Sequence, residues 1–512
     1  MPFKFVFLWT DVAIWMLLLG LASYLRYVRR DTNLRSNWRR VLRDPAAISA
    51  LVILSVFLVI GVLDSVHFRQ VLPRAAASAS SAVPDPAAAK VAYSPKTQSV
   101  FDLVMARQAE SKEQTYSAPL AWRAFEKQTL LRDGRSVRDF PRLKFAGVHL
   151  KDPEHDWVGD LVLRSCAGLV LGALAAMAIA LITAALLAKS MAAGTETGES
   201  TGMLGNLDHA WRALATGSTE LPLRTMLATA SIICLLAGPA IVLAAAYHVF
   251  GTDQTGNDVL YLTLKSVRTA LVFGSLATIA TLPLGIVLGI LAGYFKGWAD
   301  DLIQYLYTVL NSIPGVLLIA AFVLMLQVYI DSNPQRFETG AERADLRIFF
   351  LCAILGVTSW TGLCRLLRGE TLKLRELEYV QAARAFGVSH LRIMARHIFP
   401  NLVHLVLITT VLEFSGIVLY EAVLSYVGIG VDPTTPSFGS MINMARLELS
   451  RDPMIWWSLA AAFVFMVAIV LSANLLADSV REAFDPRARS FRPRLDRLGK
   501  TAAVKAGARP SA

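Results

Sequence analysis

The sequence predicts an all-α polytopic membrane protein of about nine transmembrane helices with one external insertion. Three observations predict it. The 512 residues are 55% hydrophobic with a mean hydropathy of +0.49, more apolar than a soluble chain of this length. Apolar runs recur at lengths near the roughly 20 residues that cross a bilayer. The net charge of +11 is uneven: arginines gather beside particular runs, as they do on the cytoplasmic side of membrane helices. That clustering replaces the nucleic-acid reading a basic balance would otherwise invite, so no nucleic-acid partner is expected. Cys166, Cys234, Cys352 and Cys364 lie in or beside apolar runs without metal-ligand spacing and read as small core residues. Neither a metal nor a cofactor is expected.

The first apolar run, residues 5–28, is followed by Arg29, Arg30, Arg35, Arg39, Arg40 and Arg43. A signal peptide carries its charge before the apolar core, so this is an uncleaved helix with its N-terminus outside and Asp11 at the outer interface. Asp44 and Pro45 start a second span, residues 46–66. Residues 67–160 are polar and external. Residues 75–89 are an Ala/Ser/Pro-rich linker, and the remainder, with Trp122, Phe125 and Trp157, forms a small domain. Glu154, His155 and Asp156 read as solvated loop residues. Residues 161–188 and 223–250 are two further spans. The Gly/Ser/Thr-rich 194–205 between them lacks the Gly-Lys-Ser/Thr ending of a phosphate loop and reads as a flexible connection.

In F-G-T-D-Q-T-G-N-D-V-L, residues 250–260, Gly251 and Gly256 permit tight turns while Asp253 and Asp258 cap helix ends. The span 264–295 carries Gly285, Gly289 and Gly293 every four residues. Such a stripe lets helix backbones approach closely in lipid, either within this chain or against a second one. A short turn at 296–301 leads to a span over 302–330 kinked at Pro314. An external loop over 331–345 and a span over 348–367 follow. The span 402–427 contains Glu413 and Glu421. Glu421 is expected in a helix-bundle contact, and Glu413 to line the solute pathway. Residues 424–439 form an external or re-entrant turn, 454–477 the last span, and 487–512 a basic tail.

The stretch Glu378–Asn401, E-Y-V-Q-A-A-R-A-F-G-V-S-H-L-R-I-M-A-R-H-I-F-P-N, separates two long apolar runs. Val380, Ala383 and Phe386 recur at helical spacing, and Gly387 suits the left-handed end of that short helix. Ser389 caps a second short helix through Arg396, and Pro400 breaks it. The expectation is a small helix-turn-helix at the membrane surface.

This stretch resembles the EAA loop of ABC-type importer permeases, whose triplet, glycine and proline fall here on Gln381, Ala382, Ala383, Gly387 and Pro400. The run E-Y-x-x-A-A-R-A-x-G-x-S, with R-H-I-x-P-N, resembles the oligopeptide/dipeptide branch. The segment from Trp38 resembles the C-type subunits of that branch, as do 250–260, 424–439 and N-L-L-A-D-S-V-R-E-A-F-D-P-R at 474–487. Gln381 stands where the triplet has glutamate, and Asn257 where the branch has arginine. The resemblance implies a type I ABC importer transmembrane domain over 251–486 in a bacterial inner membrane. Residues 1–45 and 161–250 are then additions to the family plan, and 46–66 is its N-terminal helix.

It further implies that Glu378, Gln381, Ala382, Ala383, Arg384 and Gly387 couple the chain to cytoplasmic ATPase subunits. Beside the membrane lipid, the implied partners are a second related permease and an external solute-binding protein. The chain has no nucleotide-binding motif, so hydrolysis is expected on a partner. Placing Glu378–Asn401 in the cytoplasm also puts the arginine-rich 26–43 and the basic tail inside, in accord with the charge rule. An ion-coupled secondary transporter is the alternative; it expects inverted repeats and mid-membrane ionisable groups. A membrane-embedded enzyme would need a clustered catalytic set on facing spans.

Overall fold

The computed structural model describes residues 3–71, 93–94, 96–132, 135–194, 203–217, 219, 221–337, 339–432 and 434–484. The linker over 75–89, most of the connection over 194–205 and the tail over 487–512 lie outside the described residues. Among the described residues, nine helices are long and apolar enough to cross a membrane.

A strand β1 (Phe3–Val6) precedes α1 (Trp9–Arg30), α2 (Thr32–Val41) and α3 (Pro45–Asp64). Asp44 accepts from the Ala46 N–H and Pro45 occupies the first turn, as expected for that helix start. Strands β2 (His67–Gln70) and β3 (Gln98–Ser99), helices α4 (Val100–Val104) and α5 (Ala106–Glu110), and the hairpin β4 (Gln128–Arg132) and β5 (Arg135–Asp139) make up the insertion. Then come α6 (Pro153–Gly194), α7 (Met203–Thr216) and α8 (Leu223–Ala244). The core follows with α9 (Val259–Phe295), α10 (Trp298–Ser312), α11 (Gly315–Ser332) and α12 (Gly340–Arg375). It closes with α13 (Glu378–Ala385), α14 (His390–Ile393), α15 (Phe399–Tyr426), α16 (Phe438–Glu448) and α17 (Trp457–Phe484).

Contacts sort the connections into two sets at opposite ends of the bundle. At one end, β1 pairs antiparallel with β2, and β2 with β3, so the start of the chain joins the insertion. There too the Trp457 indole donates to the Thr252 carbonyl at 3.0 Å and Phe125 stacks edge-on against Trp457. At the other end, Trp38 packs on Phe484, Lys296 pairs with Glu376 at 2.8 Å, and Tyr294 meets His390. The arginines after α1 mark this second end as cytoplasmic.

The glycine stripe faces α12 within the chain. A Cβ at Gly285 would sit 2.8 Å from Leu363, one at Gly289 2.8 Å from the Cys364 carbonyl oxygen, and one at Gly293 2.6 Å from the Thr371 Cβ. A second close crossing joins α6 to α8, where a Cβ at Gly238 would lie 2.2 Å from the Gly168 carbonyl oxygen. With little hydrophobic force between helices in lipid, such close backbone contact supplies the dispersion energy of association.

Five elements depart from expectation. Glu154, His155 and Asp156 are exposed but lie in the first turn of α6 and not in a loop. The span over 302–330 is not one kinked helix: Ile313 is extended and the chain restarts at Gly315, because a proline restricts the residue before it to the β region. The external loop ends early, so Asp345 lies inside α12 and is buried. Pro400 does not break the second surface helix: a π turn over Met394–Ile398 precedes it, and the helix runs on through α15. The wider turn accommodates the proline's missing N–H and its ring. Ser389 stands at the N-cap position, but its side chain makes no capping bond. The short helices α7 and α16 were not foreseen.

Gly293→Val would push a branched side chain into the Thr371 Cβ and the Arg368 carbonyl oxygen, 2.6 and 2.7 Å from where its Cβ would lie. The expected outcome is a loss of about 1–3 kcal/mol, read as a lower Tm of the full chain in detergent. The same change at Gly362, with nothing near its Cβ position, should leave the Tm within a degree or two.

Candidate functional site: a surface elbow and the polar seam opposite it

Helix α13 ends in a Schellman turn. The Val388 N–H donates to the Ala383 carbonyl at 3.1 Å, and the Gly387 N–H to the Arg384 carbonyl at 3.0 Å. Gly387 has φ of +76°, the left-handed region where glycine carries no Cβ penalty. The reversal sets α13 and α14 as two arms of an elbow. Its inner side is fixed by Val380, Ile393, Met394, Ile398 and Leu402, buried against Ile290, Leu363 and Leu367 of α9 and α12. Its outer side presents Phe386, 86% exposed, and Leu391, 76% exposed, with Arg384 and Arg392 beside them.

Polar contacts hold the elbow from both sides. The Arg375 guanidinium donates to the Tyr294 carbonyl, and the Tyr294 hydroxyl lies 2.8 Å from His390 Nδ1. Arg368 grips Asp300 with two bonds of 2.5 and 2.7 Å, and the Arg368 guanidinium holds the Asp300 carboxyl below its ordinary range. Asn401 donates to the Tyr379 hydroxyl at 3.1 Å. Gln381, the departure in the triplet, turns back and donates Nε2 to the Glu376 carbonyl at 3.2 Å. A carboxylate in its place could not donate and would face the Glu376 carboxylate. A groove of about 480 Å³ runs along this face between Tyr294, Arg375, Glu376, Gln381 and Arg384.

The structure therefore brings Glu378, Gln381, Ala382, Ala383, Arg384 and Gly387 together on one elbow. Glu378, Gln381, Ala382 and Arg384 are exposed and Ala383 is half-buried against the anchoring cluster. Glu413 lies elsewhere, half-buried on α15, with no polar partner among the described residues. Glu421 is buried and accepts from the Ser425 hydroxyl at 2.7 Å.

At the outer end the sequence reading missed a polar seam. Arg268 of α9, buried, binds Asp11 at 2.6 Å, and His67 meets the other Asp11 oxygen at 2.8 Å. Asp11 is 2% exposed rather than interfacial: a buried guanidinium one helix away holds it inside. Thr10 bridges Arg268 to Asp345. Three residues earlier on α9, Lys265 binds Asp102 of α4 at 2.5 Å and lies 3.7 Å from Asp64. Two basic residues three apart in an apolar run were the available signal. Their acidic partners are dispersed over more than 300 residues of sequence.

The F-G-T-D turn joins the same seam. Asp258 caps α9 by accepting from the Tyr261 N–H, as expected. Asp253 caps no helix; it accepts instead from the N–H groups of Thr255 and Asn257 across its own turn. A Cβ at Gly256 would lie 1.9 Å from the Glu113 carbonyl oxygen of the insertion. His248 sits buried between Asp258, at 2.7 Å, and Glu113, at 3.6 Å. Burial opposes the charge on His248, but the hydrogen bond to Asp258 and the nearby Glu113 carboxylate outweigh it and raise its pKa to about 9. Burial likewise opposes the charge on Glu113, yet His248 and the N–H groups of Lys144 and Phe145 bring its pKa below the ordinary value.

The class these features define is a polytopic helical membrane protein, with a surface elbow anchored in its core at one end and a polar seam at the other. The family model described as binding-protein-dependent transport system inner membrane component matches residues 285–490. The oligopeptide transport system permease protein OppC of Haemophilus influenzae is 30% identical over 243 residues, 48% of this chain and 71% of that protein. The glutathione transport system permease protein GsiD of Pectobacterium atrosepticum is 32% identical over 245 residues, 48% and 74% of the two chains. The dipeptide transport system permease protein DppC of Lactococcus lactis is 27% identical over 241 residues, 47% and 64%. The chain belongs to the inner-membrane permease family of binding-protein-dependent ABC importers. That membership disfavours an ion-coupled transporter.

Two outcomes follow from the seam. Asp11→Ala removes the counter-charge bonded to the buried Arg268, leaving Asp345 and Asp64 to offset it in part, and the expected loss is about 3 kcal/mol, with Asp11→Leu combined with Arg268→Met recovering much of it in thermal unfolding. His248 stabilises the fold fully below its unfolded value of 6.5, and that contribution disappears as pH rises through about 9. Glu113, with its pKa lowered, stabilises above 4.5 and loses that as pH falls. The Tm of the full chain should therefore fall between pH 8 and 10, and His248→Gln should flatten that limb.

Proposed function

We propose that this chain translocates peptides or peptide-like solutes, driven by ATP hydrolysed on separate cytoplasmic subunits that dock on the elbow. The observation that carries the reading is the elbow's asymmetry. Its inner face is locked into the core by five buried side chains, while its outer face leaves Phe386 and Leu391 uncovered between arginines. Large exposed apolar groups ringed by charge mark a docking surface. A partner pressing on a Schellman-locked elbow moves α12 and α15 with it, because Ile393, Ile398 and Leu402 share one packed cluster with Leu363 and Leu367.

In this reading Glu378, Gln381, Ala382, Ala383, Arg384 and Gly387 form the coupling surface and Glu413 faces the solute path. A second related permease, lipid and an external solute-binding protein complete the assembly. The peptide-class solute is carried by the relatives, whose names specify oligopeptides, dipeptides and glutathione.

The test is uptake of a labelled tripeptide by cells that depend on this chain, with Phe386→Ala and Leu391→Ala combined. Uptake should drop at least ten-fold while the chain still reaches the membrane at normal level, since both side chains are exposed and contribute little to stability. Cysteine cross-links from Phe386 should capture a nucleotide-hydrolysing subunit. Unchanged uptake together with no such cross-link would end this reading.

A further inference from the structure

Among the buried polar atoms of the described residues, both carboxylate oxygens of Glu448 make no hydrogen bond. The residue is 2% exposed. It ends α16 and lines a cavity of about 320 Å³ at the outer end of the bundle. That volume falls within the roughly 300–1,000 Å³ of small-molecule sites. The walls come from separate parts of the chain: the Asp253 turn, Leu262 of α9, the loop at Thr434 and Thr435, Met441 and Met444 of α16, and Ser458 of α17. Lys112 of the insertion, exposed, stands among the lining residues.

The charges around Glu448 are otherwise committed. Asp253, 8% exposed, already accepts four bonds from Thr255 and Asn257. Arg451, one turn further on, pairs with Glu126 at 2.9 Å and lies over the Tyr116 ring. The buried Tyr116 hydroxyl is a donor close enough to act on the Glu448 carboxylate but without completing a hydrogen bond to it. Two carboxylates and hydroxyl groups therefore face one polar space; Arg451 acts on Glu448 only through its field, and among the described residues no cation forms an ion pair with it. A buried carboxylate left without a donor is costly unless a proton or a cation supplies one.

We propose that this cavity receives the ammonium group of a small solute, an amino-terminal amine held on Glu448. The threonine and serine hydroxyls supply further acceptors for the three N–H bonds of a primary ammonium. Met441 and Met444 give an adaptable apolar wall that suits side chains of differing shape. Lys112 carries the complementary charge for a carboxylate on the same solute. The proposal rests on the peptide reading above and deepens it: the permease itself, at its outer face, would recognise a free amino terminus.

The full chain in lipid nanodiscs, titrated with tri-alanine and with N-acetyl-tri-alanine by saturation-transfer NMR, tests this. Tri-alanine should bind, and acetylation should weaken binding roughly ten-fold or more, as expected for a lost charge-assisted bond. Glu448→Gln, isosteric and neutral, should abolish the difference between the two peptides while leaving the Tm within a few degrees. Equal binding of both peptides to the wild-type chain overturns the proposal, and needs no variant to fold. Persistence of the discrimination in Glu448→Gln also overturns it. Should cells take up tri-alanine through this chain while the nanodisc chain ignores the amino terminus, the inference falls and the peptide reading stands. If the cells take up neither peptide, the peptide reading itself falls.

Discussion

Everything in this bundle is arranged about α9, and α9 obeys a different constraint at each end. Toward the cytoplasm its exposed backbone at Gly285, Gly289 and Gly293 lies directly on α12. A bilayer offers apolar surfaces no reward for leaving the solvent, so intimate contact between backbones is the means of binding left along the glycine face. Toward the outside the same helix carries Lys265 and Arg268, which an apolar layer does not tolerate unpaired. Asp11, Asp64, Asp102 and Asp345 converge on them from α1, α3, the insertion and α12. The inner contact fixes how near the core helices lie, and the outer one ties α1, α3 and the segment between α3 and α6 to α9.

The two kinds of contact differ in what a disturbance does. A dispersion contact between backbones weakens gradually as atoms separate. A buried charge pair does not: withdrawing either member leaves a group that neither lipid nor protein will solvate. The outer seam is thus a set of fixed joints. It welds α1 and the insertion to α9, so these parts move with the core or not at all. His248 between Glu113 and Asp258 adds one more such joint, made of a cation and two anions instead of a single pair.

Much of this was legible in the sequence, and the parts that were not share a cause. The nine spans follow from apolar runs, because a bilayer imposes a length on each helix independently of its neighbours. Gly387 announced the elbow, because only a local backbone need was at stake. Asp44 and Asp258 announced helix starts for the same reason. By contrast Asp11 looked interfacial, since its partner Arg268 is 257 residues away. Pro400 looked like a break, since the π turn that absorbs it leaves no mark on composition. The glycine stripe was visible as a contact surface, but whether its partner was α12 or another chain depends on the fold. Local requirements can be read from a string of residues; pairings across the string cannot.

The elbow and the Glu448 cavity lie at opposite ends of the bundle, and one helix joins them. Helix α15 begins at Phe399, directly after the π turn, and ends at Tyr426, where the loop leading to α16 begins. Its 28 residues span about 42 Å at the usual rise. Its outer end is bound tightly to α16: a Cβ at Gly439 would lie 2.5 Å from Ser425 and 2.8 Å from Ala422. Glu421 and Ser425 tie the same turn internally. A stiff rod packed at both ends cannot shift at one without shifting or tilting at the other. The outer seam holds α9 still, so a displacement at the elbow would appear as motion of α15 and α16 against α9. That is motion between walls of the cavity, since Leu262 of α9 and Glu448 of α16 both line it. A site there would change shape whenever the elbow moved, which is what an ATP-driven permease requires of a place where solute is first held and then released.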